Sequence, residues 1–338
     1  MKPIVLDSEI HIDVLGRHAL LAASLLLLTA CSSLPGKQTA VVDNYNMAYA
    51  TQGQGSPVVV FESGFGAMME NWSDVYPQIA AITKVFAYNR RGYEGSIPHD
   101  EAEDDSSITG IARTVGEVTL DIVAPSVSTV VGIADAASTI SDNKGEEVVQ
   151  VRTATQTVEE LRALLSGAGF APPYLLVGHS SGGLYALYFA KTHPDEVAGI
   201  VLVDSSHPEQ MQRCRERYGD EECEVPWLAR SVMKLLPDEM LAEFNSLEES
   251  GRQVTASGPL PAIPLTVLSH GKSAGTGSAP IDELWPEFQQ ELAAQLPDSK
   301  HIIAKNSGHF IQKDQPELVI EAIREMVHDI RADNAPQF

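Results

Sequence analysis

The sequence predicts an α/β fold with a mainly parallel, doubly wound sheet at its centre. Three observations lead there. Short, β-branched apolar runs alternate with longer segments of helical period, the pattern of parallel strands joined by helices. The runs are nearly continuous rather than alternating, as strands buried on both faces must be. The chain, 338 residues with 43% apolar content, is long enough to enclose such a sheet.

Residues 41–53 (VVDNYNMAYATQG) do alternate, and they predict an antiparallel hairpin at one edge. Six segments read as buried strands: 57–64 (PVVVFESG), 84–89 (KVFAYN), 173–178 (PYLLVG), 197–204 (VAGIVLVD), 263–269 (IPLTVLS) and 301–306 (HIIAKN). Each is short and β-branched, with turn-forming residues at its borders. Helices are predicted at 158–167 (VEELRALLSG), stopped by glycine, at 183–193 (GLYALYFAKTH), and at 316–332 (PELVIEAIREMVHDIRA), opened by proline. Two segments break the rhythm. Residues 207–253 are helical and polar, with Trp227, Leu228, Met233, Leu235, Leu236 and Met240 as apolar anchors. Residues 99–150 open with an acidic stretch and continue rich in Thr, Val and Ser.

At the N-terminus Arg17 precedes an apolar run, Ala19 to Ala30, too short to span a bilayer and suited to an export signal. Asp7, Glu9 and Asp13 depart from a basic leader. The run ends Leu28-Thr29-Ala30-Cys31, which is similar to a bacterial lipobox. That resemblance implies removal of residues 1–30, lipidation of Cys31, a tether over 31–40, and a lipid-anchored protein of the bacterial cell envelope. An exported chain folds where thiols oxidise, so Cys214 and Cys223 are expected to pair across the eight residues between them. No cysteine or histidine spacing suits zinc, and neither metal nor cofactor is implied. The net charge of −23 argues against a nucleic-acid partner, because phosphate binding needs a basic face.

The most informative stretch is YLLVGHSSGG, Tyr174 to Gly183. A serine at the end of a strand, turned sharply into a helix, projects at the carboxyl edge of a parallel sheet, where ligands bind. The turn needs small neighbours, and Gly178, Gly182 and Gly183 supply them. Gly178-His179-Ser180-Ser181-Gly182 therefore reads as a nucleophile elbow, with Ser180 exposed and the Ser181 N–H aimed at developing negative charge. Ser181 competes as nucleophile but has His179, not glycine, two residues before it. A serine hydroxyl needs a base. Of ten histidines, His309 sits in a glycine-containing loop between the last strand and the last helix; His207 and His270, near strand ends, are its rivals.

With these residues in order, the chain resembles the α/β-hydrolase superfamily over 57–332. The resemblance is carried by ESGFG (62–66), YNRRGYEGS (88–96), VGHSSGG (177–183), GIVLVDSSHP (199–208) and SGHF (307–310). It implies a core of 41–204 and 263–334 with the insertion 99–150, and a helical cap over 205–262. It implies Phe65 as the second oxyanion donor, through its main-chain N–H. Ser63-Gly64 stands where such proteins usually carry His-Gly. Asn89 and Glu94 replace the usual Asp and Gly, and that segment is read as a structural turn. For the acid, the family offers two positions. Asp204, which ends one strand, is the expected acid; Asp282, the first carboxylate after the next, is the alternative. The implied activity is ester hydrolysis by a Ser-His-Asp triad on a small-molecule or lipid ester, with the membrane reached through the N-terminal lipid. Peptidase, thioesterase, lactonase and C–C hydrolase chemistry remain open on the same fold, as does a non-catalytic binding lipoprotein.

Overall fold

The computed structural model describes residues 33–99, 151–225, 230–231, 233–272 and 278–333. The expected signal, Cys31, nearly all of 99–150 and the anchors Trp227 and Leu228 lie outside the described residues.

The strands in chain order are β1 (Lys37–Val42), β2 (Tyr45–Gln52), β3 (Val58–Glu62), β4 (Val85–Tyr88), β5 (Ile97–Pro98), β6 (Tyr174–His179), β7 (Val197–Val203), β8 (Leu265–His270) and β9 (Lys300–Ala304). The helices are α1 (Tyr76–Ala80), α2 (Ala154–Gly167), α3 (Ser181–Thr192), α4 (Gln210–Tyr218), α5 (Asp220–Cys223), α6 (Asp238–Asn245), α7 (Leu247–Ala256), α8 (Ala279–Ala293), α9 (Ile311–Asp314) and α10 (Pro316–Asp333). One sheet orders the strands β1-β2-β4-β3-β6-β7-β8-β9, with β5 paired to β2. From β4 through β9 neighbours run parallel, whereas β1, β2 and β4 pair antiparallel.

The continuous apolar runs have their cause in the two faces. Along β3, Val59 and Phe61 join a core with Tyr76 and Ile79 of α1 and Val319, Ile323 and Val327 of α10. Val60 points the other way, into a core with Leu161 and Leu164 of α2 and Tyr185 and Phe189 of α3. Side chains of a strand alternate between faces, so a sheet covered on both sides makes its middle strands apolar nearly throughout, with Glu62 and His179 standing only at strand ends.

Two boundaries differ from expectation. The tether expected over 31–40 ends early, because Lys37 to Val42 already pair with Ala50 to Tyr45. This edge strand is mostly exposed and polar, which is why it reads as a tether. The turn that closes the hairpin is Asp43-Asn44, both at positive φ, as a two-residue hairpin turn requires. Helix α2 starts at Ala154 rather than 158, because Gln156 Oε1 accepts a hydrogen bond from Thr153 N at 3.0 Å and caps the first turn.

Residues 205–262 follow β7 and carry α4 to α7 before the chain returns at β8. Cys214 and Cys223 have Cα atoms 5.9 Å apart, and their sulfurs lie within bonding distance.

Candidate active site

Strand β6 ends at His179, α3 begins at Ser181, and Ser180 lies between them with φ 53° and ψ −125°. A residue with a Cβ is strained there, by about 1–3 kcal/mol, and persists only where its surroundings hold it. Here Ser180 O accepts hydrogen bonds from Gly183 N and Ser206 N, each at 3.0 Å, which ties the turn to its own helix and to the exit of β7. The small neighbours are a packing necessity. A Cβ on Gly178 would lie 2.7 Å from Gly183 Cα; one on Gly182 would meet Glu62 O at 2.5 Å and Ser63 O at 2.6 Å.

Asp204 follows β7 directly and is fully buried, also at positive φ. Its carboxylate collects four donors. His309 Nδ1 lies 2.7 Å from Oδ2 and His270 Nδ1 2.8 Å from the same oxygen. Trp285 Nε1 donates to Oδ1 at 2.9 Å and His270 N at 3.0 Å. A carboxylate only accepts, so His309 presents Nδ1–H to it and keeps the lone pair on Nε2. Burial alone would raise this carboxyl's pKa; the hydrogen bonds from His270 and His309 outweigh it and hold the group well below the usual range.

His309 sits in the loop between β9 and α9. Asp314 Oδ2 fastens that loop, accepting from Gly308 N at 2.9 Å and Ser307 Oγ at 3.2 Å. His179, the residue before the elbow serine, donates through Nε2 to His309 O at 3.0 Å, and the two rings lie 4.7 Å apart. Burial, with His309 beside it, pushes the His179 imidazole down to about 3. The elbow and the base loop are thus joined by a neutral histidine.

The loop after β3 lies against the elbow: a Cβ on Gly64 would stand 3.0 Å from both Ser180 Cβ and His179 Nδ1. Phe65 is next in that loop, its ring 5.4 Å from Phe244 of α6. Ser181 N lies in the first turn of α3, where main-chain N–H groups favour negative charge.

Ser180, His309 and Asp204 therefore gather at the carboxyl ends of β6, β7 and β9, with Phe65 and Ser181 alongside. Asp282 does not join them; it lies in the first turn of α8, and the carboxylate on His309 Nδ1 is Asp204. Of the rival histidines, His270 shares Asp204 with His309, while His207 stacks on Phe288 at 4.9 Å. Sequence reasoning missed Trp285 as a donor to Asp204, because an indole on a helix carries no local mark of its partner. It also missed Arg90. Within the segment read as a structural turn, Arg90 is 3% exposed and donates to Ser63 O at 2.8 Å and Gly64 O at 3.0 Å.

Comparison with known proteins identifies the family and the fold. The model of an alpha/beta hydrolase family matches residues 59–322. An uncharacterised Bacillus subtilis protein, YqjL, is 26% identical over 82% of this chain and 87% of its own. An esterase from Thermogutta terrifontis superposes with a TM-score of 0.55 at 19% identity, covering 87% of this chain and 98% of that one. A putative lipase from Acinetobacter baumannii superposes with a TM-score of 0.54 at 15% identity, over 97% of this chain and all of its own. The likeness to both solved structures is one of fold.

Proposed function

Because this chain belongs to the alpha/beta hydrolase family, we propose that it is a serine hydrolase that cleaves carboxylic esters through an acyl-enzyme. The reading rests above all on one contact, the 2.7 Å hydrogen bond between His309 Nδ1 and Asp204 Oδ2. That bond fixes the imidazole tautomer, leaves Nε2 free to accept a proton, and stabilises the imidazolium that follows.

In the first half-reaction Ser180 Oγ gives its proton to His309 Nε2 and attacks the ester carbonyl carbon. The oxygen that becomes negative accepts hydrogen bonds from the Phe65 and Ser181 N–H groups, each worth roughly 10²–10³ in rate. The tetrahedral intermediate collapses, and His309 passes the proton to the departing alcohol. Water then repeats the sequence on the acyl-serine and frees the carboxylic acid. Epoxide hydrolase and dehalogenase chemistry of this fold uses an aspartate nucleophile, and the residue in that place is a serine.

The acyl group lies under the cap, where Leu236, Met240 and Met233 gather with Phe65 and Met68. Such a surface suits an apolar acyl chain. Cys31 carries the lipid and holds the enzyme on the cell envelope, and Cys214 and Cys223 form a disulfide there. Turnover of a p-nitrophenyl ester series tests the reading. Wild type should hydrolyse esters and Ser180→Ala should not; a Ser180→Ala variant with undiminished turnover would overturn it.

A further inference from the structure

We propose that Arg90 and Glu243 are positioning residues, which aim the Phe65 N–H at the oxyanion and make that aim depend on the seating of α6. The proposal rests on the reading of Ser180 as nucleophile.

The geometry begins with one peptide plane. Gly64 C=O and Phe65 N–H belong to the same trans peptide and point in opposite directions. Whatever holds Gly64 O therefore sets where the Phe65 N–H points. Arg90 holds it, with Nη2 donating to Gly64 O at 3.0 Å and Nη1 donating to Ser63 O at 2.8 Å. The next plane is held from the same place: Gly66 N donates to Tyr93 OH at 3.1 Å, and Arg90 Nη2 lies 3.2 Å from that hydroxyl. A planar guanidinium has a rigid fork of donors, so fixing its other end fixes these two carbonyls.

The other end is held from the cap. Glu243, on α6 and 1% exposed, accepts from Arg90 Nε at 3.0 Å and lies 2.9 Å from Nη2. Tyr185 OH donates to the same carboxylate at 3.1 Å. Glu62, at the end of β3, stands 3.5 Å from Arg90 Nη1 on the remaining side. A second tie runs parallel to the first, where the Phe65 ring packs against Phe244, the neighbour of Glu243. A chain of direct contacts thus runs from a cap helix to the main-chain amide at position 65.

Buried ion pairs of this kind add little net stability, and apolar groups of similar size often replace them without loss. What they supply is direction. This separates a positioning role from a structural one. The double variant Arg90→Met/Glu243→Met should fold, since it removes both members of the ion pair together and leaves Glu62, whose carboxyl burial already pushes up to about 7, to hold a proton. It should nonetheless lose its aim at the oxyanion.

The experiment compares wild type, the double variant, the milder Tyr93→Phe and the isosteric Glu243→Gln. Each is assayed for kcat and KM on p-nitrophenyl butyrate, for inhibition by an alkyl boronic acid that forms a tetrahedral adduct on serine, and for thermal unfolding. The double variant should lose about 100-fold in kcat, the effect of one oxyanion donor, with KM within about twofold. Its boronic-acid affinity should fall by a similar factor and its unfolding should stay cooperative. Tyr93→Phe should lose about tenfold in kcat, a fraction of the donor effect, and Glu243→Gln should keep most of it. A folded double variant with wild-type kcat overturns the proposal, as does a loss confined to KM. If the double variant does not fold, Tyr93→Phe with unchanged kcat overturns it equally. A wild type inert to esters and to fluorophosphonate fails earlier, at the hydrolase reading, and takes this proposal with it.

Discussion

Replacing Glu62 by glutamine should remove a pH dependence of stability between about pH 4.5 and 7. Glu62 closes β3 and is 1% exposed. One carboxyl oxygen accepts from Tyr88 OH at 2.6 Å, and the other lies 3.5 Å from Arg90 Nη1. Burial pushes this carboxyl up to about 7, more than Arg90 and Tyr88 pull it down. The folded protein then holds a proton on Glu62 at pH values where the unfolded chain, with a carboxyl at 4.5, has lost it. The contribution is fully present below pH ~4.5, declines as the pH rises, and is gone above pH ~7. Each unit between folded and unfolded values corresponds to about 1.4 kcal/mol, so the window spans roughly 3 kcal/mol. Urea unfolding of both proteins at fixed ionic strength from pH ~4 to ~8 reads this directly. The stability of Glu62→Gln relative to wild type should rise by roughly 3 kcal/mol across the window. A difference independent of pH, or one that changes in the opposite sense, would refute the reasoning that burial dominates at this carboxyl.

Other outcomes follow from the same contacts. Asp204→Asn should lower kcat/KM by roughly 10³–10⁴-fold, because the amide cannot hold the imidazole tautomer as the carboxylate does; Asp282→Asn should stay within about threefold, since the carboxylate that orients His309 is Asp204. Gly182→Ala drives a methyl into Glu62 O and Ser63 O, and thermal unfolding should register a loss of about 1–3 kcal/mol together with reduced esterase turnover. Joining Cys214 to Cys223 closes a short loop and should be worth about 2–3 kcal/mol, seen as a lower urea midpoint when reductant is added.

How much of this was legible in the chain follows from which interactions are local. The central strands read correctly because burial on both faces makes them mostly apolar, and β6 could be placed to within a residue. The elbow was legible because its parts, a strand end, three glycines and a helix start, lie within ten residues of each other. Asp204 was preferred over Asp282 from its place at a strand end, but the contact that decides between them joins residues 105 apart in the chain and has no local signature. Arg90 and Glu243 were invisible for the same reason, being 153 residues apart. The reading of segment 88–96 as a turn holds for Asn89, which accepts from Met69 N at 2.7 Å and donates to Glu94 O at 2.8 Å. It gave no sign that the adjacent arginine turns inward. Edge strand β1 was taken for tether because its outward polar residues carry no strand signature of their own.

The central claim is that Ser180 is activated by His309 and Asp204, and site-mapped labelling with a fluorophosphonate tests it most directly. The modified residue, identified by peptide mass spectrometry, should be Ser180, with labelling slowed strongly in His309→Ala and Asp204→Asn but not in Asp282→Asn. A label found on Ser181 or elsewhere, or an unchanged rate in the folded His309→Ala protein, would contradict the account.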